Sequence, residues 1–209
     1  MNLLLENGLP EEIDGHPISP DYRNMIRFDL ILQDEEMSEG EKLYLGLAQL
    51  WPSIPQNAEW AVEKLLWFYG CGRKAKEDGP DSSHSNKPRA YDFDQDADLI
   101  YAGFYAAYGF SLTTTPFLHW WEFMALLSAL PDTTLMGQVM RWRTADLSEI
   151  KDKHQREFLA AQQKRWALKK QLRAPARTAQ EMEQATLERV RRRNEEVRRL
   201  MEQESQKGG

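Results

Sequence analysis

Hydrophobic side chains recur at helical spacing along most of the first 170 residues. Met25, Phe28 and Leu32 follow Asp21 at intervals of three and four residues, which is typical of a helix with one buried face. Caps and stops divide this pattern into seven helical segments: residues 21–37, 38–52, 57–72, 94–109, 115–131, 133–143 and 148–172. The chain is therefore predicted to be mostly α-helical.

One segment, residues 115–131, is apolar nearly all round. His119 and Glu122 are among its few polar residues, so we expect it to be the central buried helix. Thr115 is placed to cap this helix, and Pro116 suits the first helical position, where its missing N–H costs nothing.

Two segments depart from the helical pattern. Turn-forming residues at Asp14 and Gly15, between short apolar stretches, predict a small β-hairpin before the first helix. Residues 73–90 contain no large apolar side chain apart from the stems of charged ones, which predicts a mobile loop. The expected fold is one helical domain over residues 1–172 with an N-terminal hairpin.

Residues 173–209 differ from the rest of the chain because they contain no aromatic side chain. Val190, Asn194, Val197 and Met201 are spaced as a single apolar seam among arginines and glutamates. The pattern predicts a charged, amphipathic and protruding C-terminal helix. A single short seam is not stable alone, so this tail needs a partner or stays unfolded.

The adjacent residues Trp120 and Trp121 are a second candidate for partner binding. Neighbouring residues on a helix point about 100° apart, so the two rings cannot face the same neighbour. We expect one ring to anchor the core. The other faces either a second helix of the domain or an exposed groove.

Composition narrows the class of protein. The chain has 209 residues, 41% hydrophobic residues and one cysteine, which indicates one well-built core in a reducing compartment. The N-terminal sequence lacks the features of a signal peptide, and no apolar stretch is long enough to span a membrane. The net charge is −6, but residues 1–105 carry 20 acidic and 9 basic groups, while residues 106–209 carry 13 and 18. This asymmetry favours self-association or a protein partner, and an acidic chain argues against nucleic acid.

The aspartates at 92, 94, 96 and 98 invite comparison with a calcium-binding loop. A loop starting at Asp92 would need Gly at position 97 and Glu at position 103, where Ala and Gly stand. A loop starting at Asp94 fails at the same two places. We instead interpret Asp94 as the cap of the next helix, so that Asp94→Ala is expected to cost about 1 kcal/mol.

Other catalytic arrangements are not supported by the sequence. His119 and Glu122 form one pair, whereas a carboxylate-bridged metal centre needs two such pairs and further glutamates. We expect a satisfied polar pair in a buried helix, or a link to the aspartate run. Cys71 has no histidine nearby in sequence, and no nucleophile elbow or phosphate loop is present. The chain is predicted not to be an enzyme, with no cofactor and no metal.

Residues 91–168 resemble the bacteriophage Gp-fifteen family. The likeness is carried by "YDFDQDADLIYAGFYAAYG", "LHWWEFMALLSALP", "RWRTADLSEIKDK" and the aromatic-basic helix that follows. Upstream, "IDGHPISPDYRNMIRF" and "DEEMSEGEKLYLGLAQLW" are also similar to the family, so the likeness covers roughly residues 10–170.

The resemblance implies a tail assembly chaperone of long-tailed phages and prophages, acting in the cytoplasm of the host bacterium. Such a protein binds the tape-measure protein, keeps it soluble and promotes polymerisation of tail-tube subunits around it. A structural tail or connector subunit of the virion is the main alternative. A metal-dependent enzyme that uses the carboxylates of residues 92–98 is a further one.

Overall fold

The computed structural model describes residues 9–72 and 89–169. The described residues up to Trp166 belong to one compact unit. Its elements are β1 Glu12–Ile13, β2 His16–Pro17, α1 Tyr22–Gln33, α2 Glu39–Leu50, α3 Ala58–Tyr69, α4 Ala97–Tyr108, α5 Trp120–Ser128, α6 Leu135–Thr144 and α7 Lys153–Arg165. The prediction of a mostly helical fold is confirmed. The predicted tail 173–209 lies outside the described residues, as does the predicted loop except for residues 89 and 90.

The β-hairpin forms where turn residues predicted it. Asp14 and Gly15 both have positive φ angles, of 50° and 80°, as a two-residue turn of type I′ requires. The strands pair antiparallel, with Ile13 opposite His16. Ile13 is buried, so the hairpin anchors the start of the described chain to the core.

The first three helices begin at the caps that the sequence provides. Asp21 accepts a hydrogen bond from the N–H of Arg23, and Asn57 accepts one from the N–H of Trp60. Ser38 and Glu41 form the predicted capping box, in which each side chain accepts a hydrogen bond from the backbone N–H of the other.

Helices α1 and α2 form a helical hairpin in which the backbone of one helix lies close to an aromatic ring of the other. A β-carbon added at Gly46 of α2 would lie 3.0 Å from a ring carbon of Phe28 on α1, so the absence of a side chain lets the helices pack closely. Met25 of α1 and Leu50 of α2 are both fully buried in the hydrophobic core.

Helix α5 packs its large apolar residues into the core, but the expectation that it is buried nearly all round is wrong, because one face, which includes Glu122, is exposed. Its Phe123 is fully buried and stacks on Tyr22 of α1, on Phe104 of α4 and on Trp120. The three centroid separations are 4.7, 5.1 and 5.8 Å, within the range of favourable aromatic pairs.

The predicted start of this helix at Thr115 and Pro116 is wrong. Helix α5 begins at Trp120, with His119 as its N-cap. The preceding residues are instead held against the start of α1: the N–H of Tyr22 donates to the carbonyl of Leu118 at 3.0 Å, and the N–H of Trp120 donates to that of Pro20 at 2.8 Å. These hydrogen bonds satisfy backbone groups of the residues before α5 in an extended conformation. The helix therefore begins about one turn later than predicted.

The last described helix is also shorter than the predicted segment 148–172. Asp146 accepts a hydrogen bond from the N–H of Ser148 at 2.8 Å, which closes a turn where the helix was expected to begin. Asp152 then caps α7 by accepting from the N–H of Gln155 at 2.7 Å. The helix therefore starts later than predicted because two short side chains compete with the helical backbone.

Candidate interaction surface

The aspartate run forms a turn ahead of α4, and the predicted cap at Asp94 is wrong. The carboxylate of Asp92 accepts hydrogen bonds from the N–H groups of Asp94 and Gln95, at 3.0 and 2.9 Å. The helix begins at Ala97, and Asp96 stands at its N-cap without capping it through the side chain. Asp94 is exposed.

Asp96 instead makes a buried ion pair with Arg143 of α6. The guanidinium donates to both carboxylate oxygens, at 2.5 and 2.9 Å, and the two side chains are 2% and 3% exposed. Arg143 also donates to the carbonyls of Trp166 and Ala90, and Asp96 accepts from the N–H of Asp92. The pair therefore joins α4, α6 and the end of α7, and its oxygens are occupied by protein donors.

No cluster of metal ligands accompanies this pair within residues 9–72 and 89–169. In that part of the chain, no group of three or more His, Cys, Asp or Glu side chains is placed to hold an ion. Asp92 and Asp96 are buried and bonded to protein, while Asp94 and Asp98 face solvent. The observed contacts give the run a structural role.

The predicted buried pair of His119 and Glu122 does not form, because Glu122 is exposed. His119 is 2% exposed and its Nδ1 accepts from the N–H of Trp121 at 3.0 Å, which caps α5. Its Nε2 lies 3.2 Å from the carbonyl oxygen of Pro10, an atom that can only accept. These two contacts define the neutral ring with its proton on Nε2.

Burial lowers the pKa of His119, and this sets a pH dependence for folding. In the unfolded chain the ring takes up a proton near its usual pKa of about 6.5, whereas the folded protein holds it neutral to lower pH. Between these two pKa values the unfolded state binds more protons, so stability falls as pH falls below about 6.5.

We expect His119→Asn to flatten this part of the profile. Asparagine keeps an N-cap acceptor but has no proton to take up in this range. The measurement is the urea midpoint of wild type and variant at intervals from pH 7.5 to 5. His154 is exposed, and His154→Asn should keep the wild-type slope. An unchanged slope for His119→Asn would contradict the assignment.

Another buried carboxylate, that of Asp29 of α1, binds residues from both sides of the segment 73–88. Tyr69 donates to Asp29 at 2.5 Å, and Arg89 contacts both of its oxygens at 3.1 Å. Burial raises the pKa of Tyr69, and it raises the pKa of nearby Tyr91 to about 12. Both phenols therefore stay protonated, and the cluster fixes the chain on either side of that segment.

Trp120 and Trp121 both lie in the core, at the C-terminal end of α3. Their rings are 1% and 2% exposed. The indole N–H of Trp120 donates to the carbonyl of Tyr69 at 2.9 Å, and that of Trp121 donates to the carbonyl of Phe68 at 2.8 Å. Each ring faces a different set of neighbours within the domain, and neither is on the surface. Of the other predicted contact residues, Val190, Val197 and Met201 lie outside the described residues.

Several large apolar side chains are exposed at the tip of the α1–α2 helical hairpin. Leu32, Leu43 and Tyr44 are 46%, 47% and 65% exposed. Two helices joined by a short loop pack antiparallel. Leu32 is one turn beyond Phe28, and Leu43 is one turn before Leu47, so both lie at the loop end of the buried interface. We call Leu32, Leu43 and Tyr44 the hairpin-tip patch.

Acidic side chains surround this patch in the sequence and at the same end of the hairpin. The loop and the first turn of α2 supply four exposed carboxylates, at Glu35, Glu36, Glu39 and Glu41. The basic side chain among them, Lys42, is 16% exposed and lies 3.5 Å from a carboxylate oxygen of Glu39. The hairpin tip is therefore an apolar surface with a negative rim.

The sequence pattern was not interpreted as predicting the hairpin-tip patch, although it contains a signal for exposed apolar residues on α2. Leu43, Tyr44 and Leu45 are three consecutive apolar residues on a helix and span about 200° of its circumference. A helix that packs on one side cannot bury all three. The two tryptophans also point in different directions, but both pack at the end of α3 and both are buried.

These observations define a mostly helical protein whose buried polar groups serve the fold and whose exposed feature is an apolar tip with an acidic rim. The family model of the Bacteriophage Gp15 protein matches residues 5–168. The chain therefore belongs to the bacteriophage Gp15 family. No curated protein and no solved structure matches it. Within the part of the chain that the structure describes, no helix is long and apolar enough to cross a membrane.

Proposed function

We propose that this phage protein is a tail assembly chaperone, acting without catalysis in the cytoplasm of the host bacterium. It binds the tape-measure protein, keeps it soluble and promotes polymerisation of tail-tube subunits around it. Membership of the Gp15 family supports a role in phage structure or assembly. The exposed apolar side chains of the helical hairpin supply the kind of surface that a chaperone needs.

The observation that carries the proposal is the hairpin-tip patch. Tyr44 is 65% exposed on a helix whose Leu47 and Leu50 are buried in the core. A protein with a well-packed core that keeps large apolar groups in solvent has a surface suited to a partner. A tape-measure protein is a long helical client whose apolar stripes require cover until the tail is built.

The tail is proposed as a further contact for this client. The apolar seam of Val190, Val197 and Met201 is flanked by arginines, which suit acidic stretches of a long helix. Neither nucleic acid nor a cofactor is part of the proposal.

The test is to co-express the client with this chain and to measure the soluble fraction of the client. The full chain should keep the client soluble and should be recovered with it in a pull-down. A chain ending at Leu172 should have the same melting temperature but should lose most of this activity. Equal activity of the shortened chain would remove the tail from the proposal. Inactivity of the full chain would overturn the proposed function.

A structural tail or connector subunit of the virion is the second candidate, since membership of the Gp15 family fits a part of the particle as well as a factor in its assembly. The distinguishing measurement is the protein content of purified particles. A transient chaperone is absent from them, whereas a resident tail or connector subunit is present in a fixed ratio to other tail proteins.

A further inference from the structure

We propose that the hairpin tip binds a helix with an apolar stripe flanked by lysine or arginine residues, presented by the client protein. This inference rests on the proposed function and adds the chemistry of the segment that is recognised. It assigns Leu32, Leu43 and Tyr44 as the apolar contact and the glutamates of the loop and of α2 as the charged contact.

The apolar part of the surface continues an interface that α1 and α2 have already begun. Leu43 shares a face of α2 with Leu47 and Leu50, which are 3% and 0% exposed, yet it is itself 47% exposed. The apolar interface between α1 and α2 is therefore buried along most of its length and becomes exposed at the loop end. A third helix that packs across the pair would extend this interface by ridges-into-grooves packing.

The charged part of the surface selects the kind of helix. Glu35, Glu36, Glu39 and Glu41 are all exposed, and Lys42 is mostly covered and close to Glu39. A partner with positive flanks would be attracted and oriented by this rim, and one with negative flanks would be repelled. The same sign of charge excludes nucleic acid and anionic lipid, whose phosphates would meet four carboxylates.

The rim also argues against a second copy of this chain as the occupant. A symmetric pair of copies joined through this patch would bring the same four glutamates of each copy together. Like charges placed opposite each other at an interface oppose association. The charges therefore favour a basic helix over the same patch of a second copy as the occupant.

The experiment uses the full chain and a pair of synthetic peptides as probes. Each peptide has about 20 residues, enough to form a helix, with leucines at helical spacing. One carries lysine and arginine beside the stripe, and the other carries glutamate at the same positions. Binding is measured by fluorescence anisotropy at low and at high salt. The basic peptide should bind at low salt and weaken at high salt, and the acidic peptide should not bind.

Variants locate the binding on the surface. Leu43→Gln with Tyr44→Gln should lower the affinity for the basic peptide by about tenfold or more, because large apolar and aromatic side chains carry much of an interface's affinity. Glu35→Gln with Glu36→Gln should weaken it less and should reduce its dependence on salt. Both pairs of substitutions are at exposed positions, and unchanged melting temperatures would show that the fold is intact.

Matched controls come from other exposed positions of the same domain. Tyr105→Gln changes a tyrosine of α4 that is 58% exposed, and Glu59→Gln with Glu63→Gln removes two exposed charges from α3. Neither control should alter binding. Equal loss in the controls, or equal binding of both peptides, would overturn the proposal.

The remaining outcomes separate this inference from the proposed function and from self-association. The Leu43→Gln, Tyr44→Gln variant is also tested for its ability to keep the client soluble. If the yield of soluble client were unchanged, the proposed function would stand, but the hairpin-tip patch would not be the docking site. A wild-type dimer that these substitutions convert to a monomer would identify a second copy as the occupant, which would overturn the proposal.

Discussion

Replacement of Asp96 by asparagine should lower the free energy of unfolding by about 3–5 kcal/mol, the usual cost of leaving a buried charge without its partner. Arg143 would keep its charge at a site where its side chain is 3% exposed. Its other contacts, to the carbonyls of Trp166 and Ala90, do not neutralise that charge. The measurement is denaturant unfolding of the wild type and the variant at neutral pH.

A neighbouring aspartate provides the control. Asp94 has the same side chain two residues earlier but is exposed, so Asp94→Asn should change stability by less than about 0.5 kcal/mol. The cost of Asp96→Asn should also persist at high salt, because a buried pair is little screened. If the two substitutions cost the same small amount, the ion pair would not be what joins α4 to α6.

The position of the helices could be predicted from sequence, because the signals involved are local. Ser38 and Glu41 are three residues apart, and their capping box depends on nothing distant. The same is true of the turn at Asp14 and Gly15, where both residues tolerate the left-handed conformation. Local chemistry of this kind is visible in a single chain.

The role of each aspartate in the run could not be predicted, because it depends on a residue 47 positions away. Asp92, Asp94, Asp96 and Asp98 alternate in the sequence and are equivalent as potential caps. Asp96 differs from the other three because its carboxylate is paired with Arg143 in the core. The start of α5 was predicted wrongly for the same reason, because the backbone groups of Leu118 and Trp120 form hydrogen bonds with distant residues at the beginning of α1.

The candidate surface shows how one physical argument can fit one helix and mislead on another. Adjacent apolar residues point in different directions on any helix. On α5 Glu122 faces solvent, but Trp120 and Trp121 both pack at the end of α3 and are buried. On α2 one side faces solvent, and Leu43 and Tyr44 are exposed. Whether a helix is central or peripheral is a property of the tertiary fold and decides which residues a partner can contact.

Truncation of either tryptophan to alanine should therefore lower the free energy of unfolding by about 3–5 kcal/mol, the typical cost of removing a large buried aromatic side chain. Neither Trp120→Ala nor Trp121→Ala should spare the fold. Phe117 is 53% exposed and close to both in sequence, and Phe117→Ala should change stability by less than about 0.5 kcal/mol.

Substitution by phenylalanine separates the contribution of the indole N–H from that of packing. Trp120 and Trp121 donate to the carbonyls of Tyr69 and Phe68, which lie in the last turn of α3, where a helix has no further N–H groups of its own to satisfy them. The phenylalanine variants keep most of the apolar contact but remove the N–H that the carbonyl accepts from, at a cost of about 1–3 kcal/mol where that carbonyl is shielded from water. The carbonyl of Phe68 also accepts from the N–H of Cys71, so Trp121→Phe should cost less through this route than Trp120→Phe. If one of the two alanine variants were instead as stable as the wild type and bound the client more weakly, that ring would have to lie in an exposed groove. The central position of α5 would then be wrong.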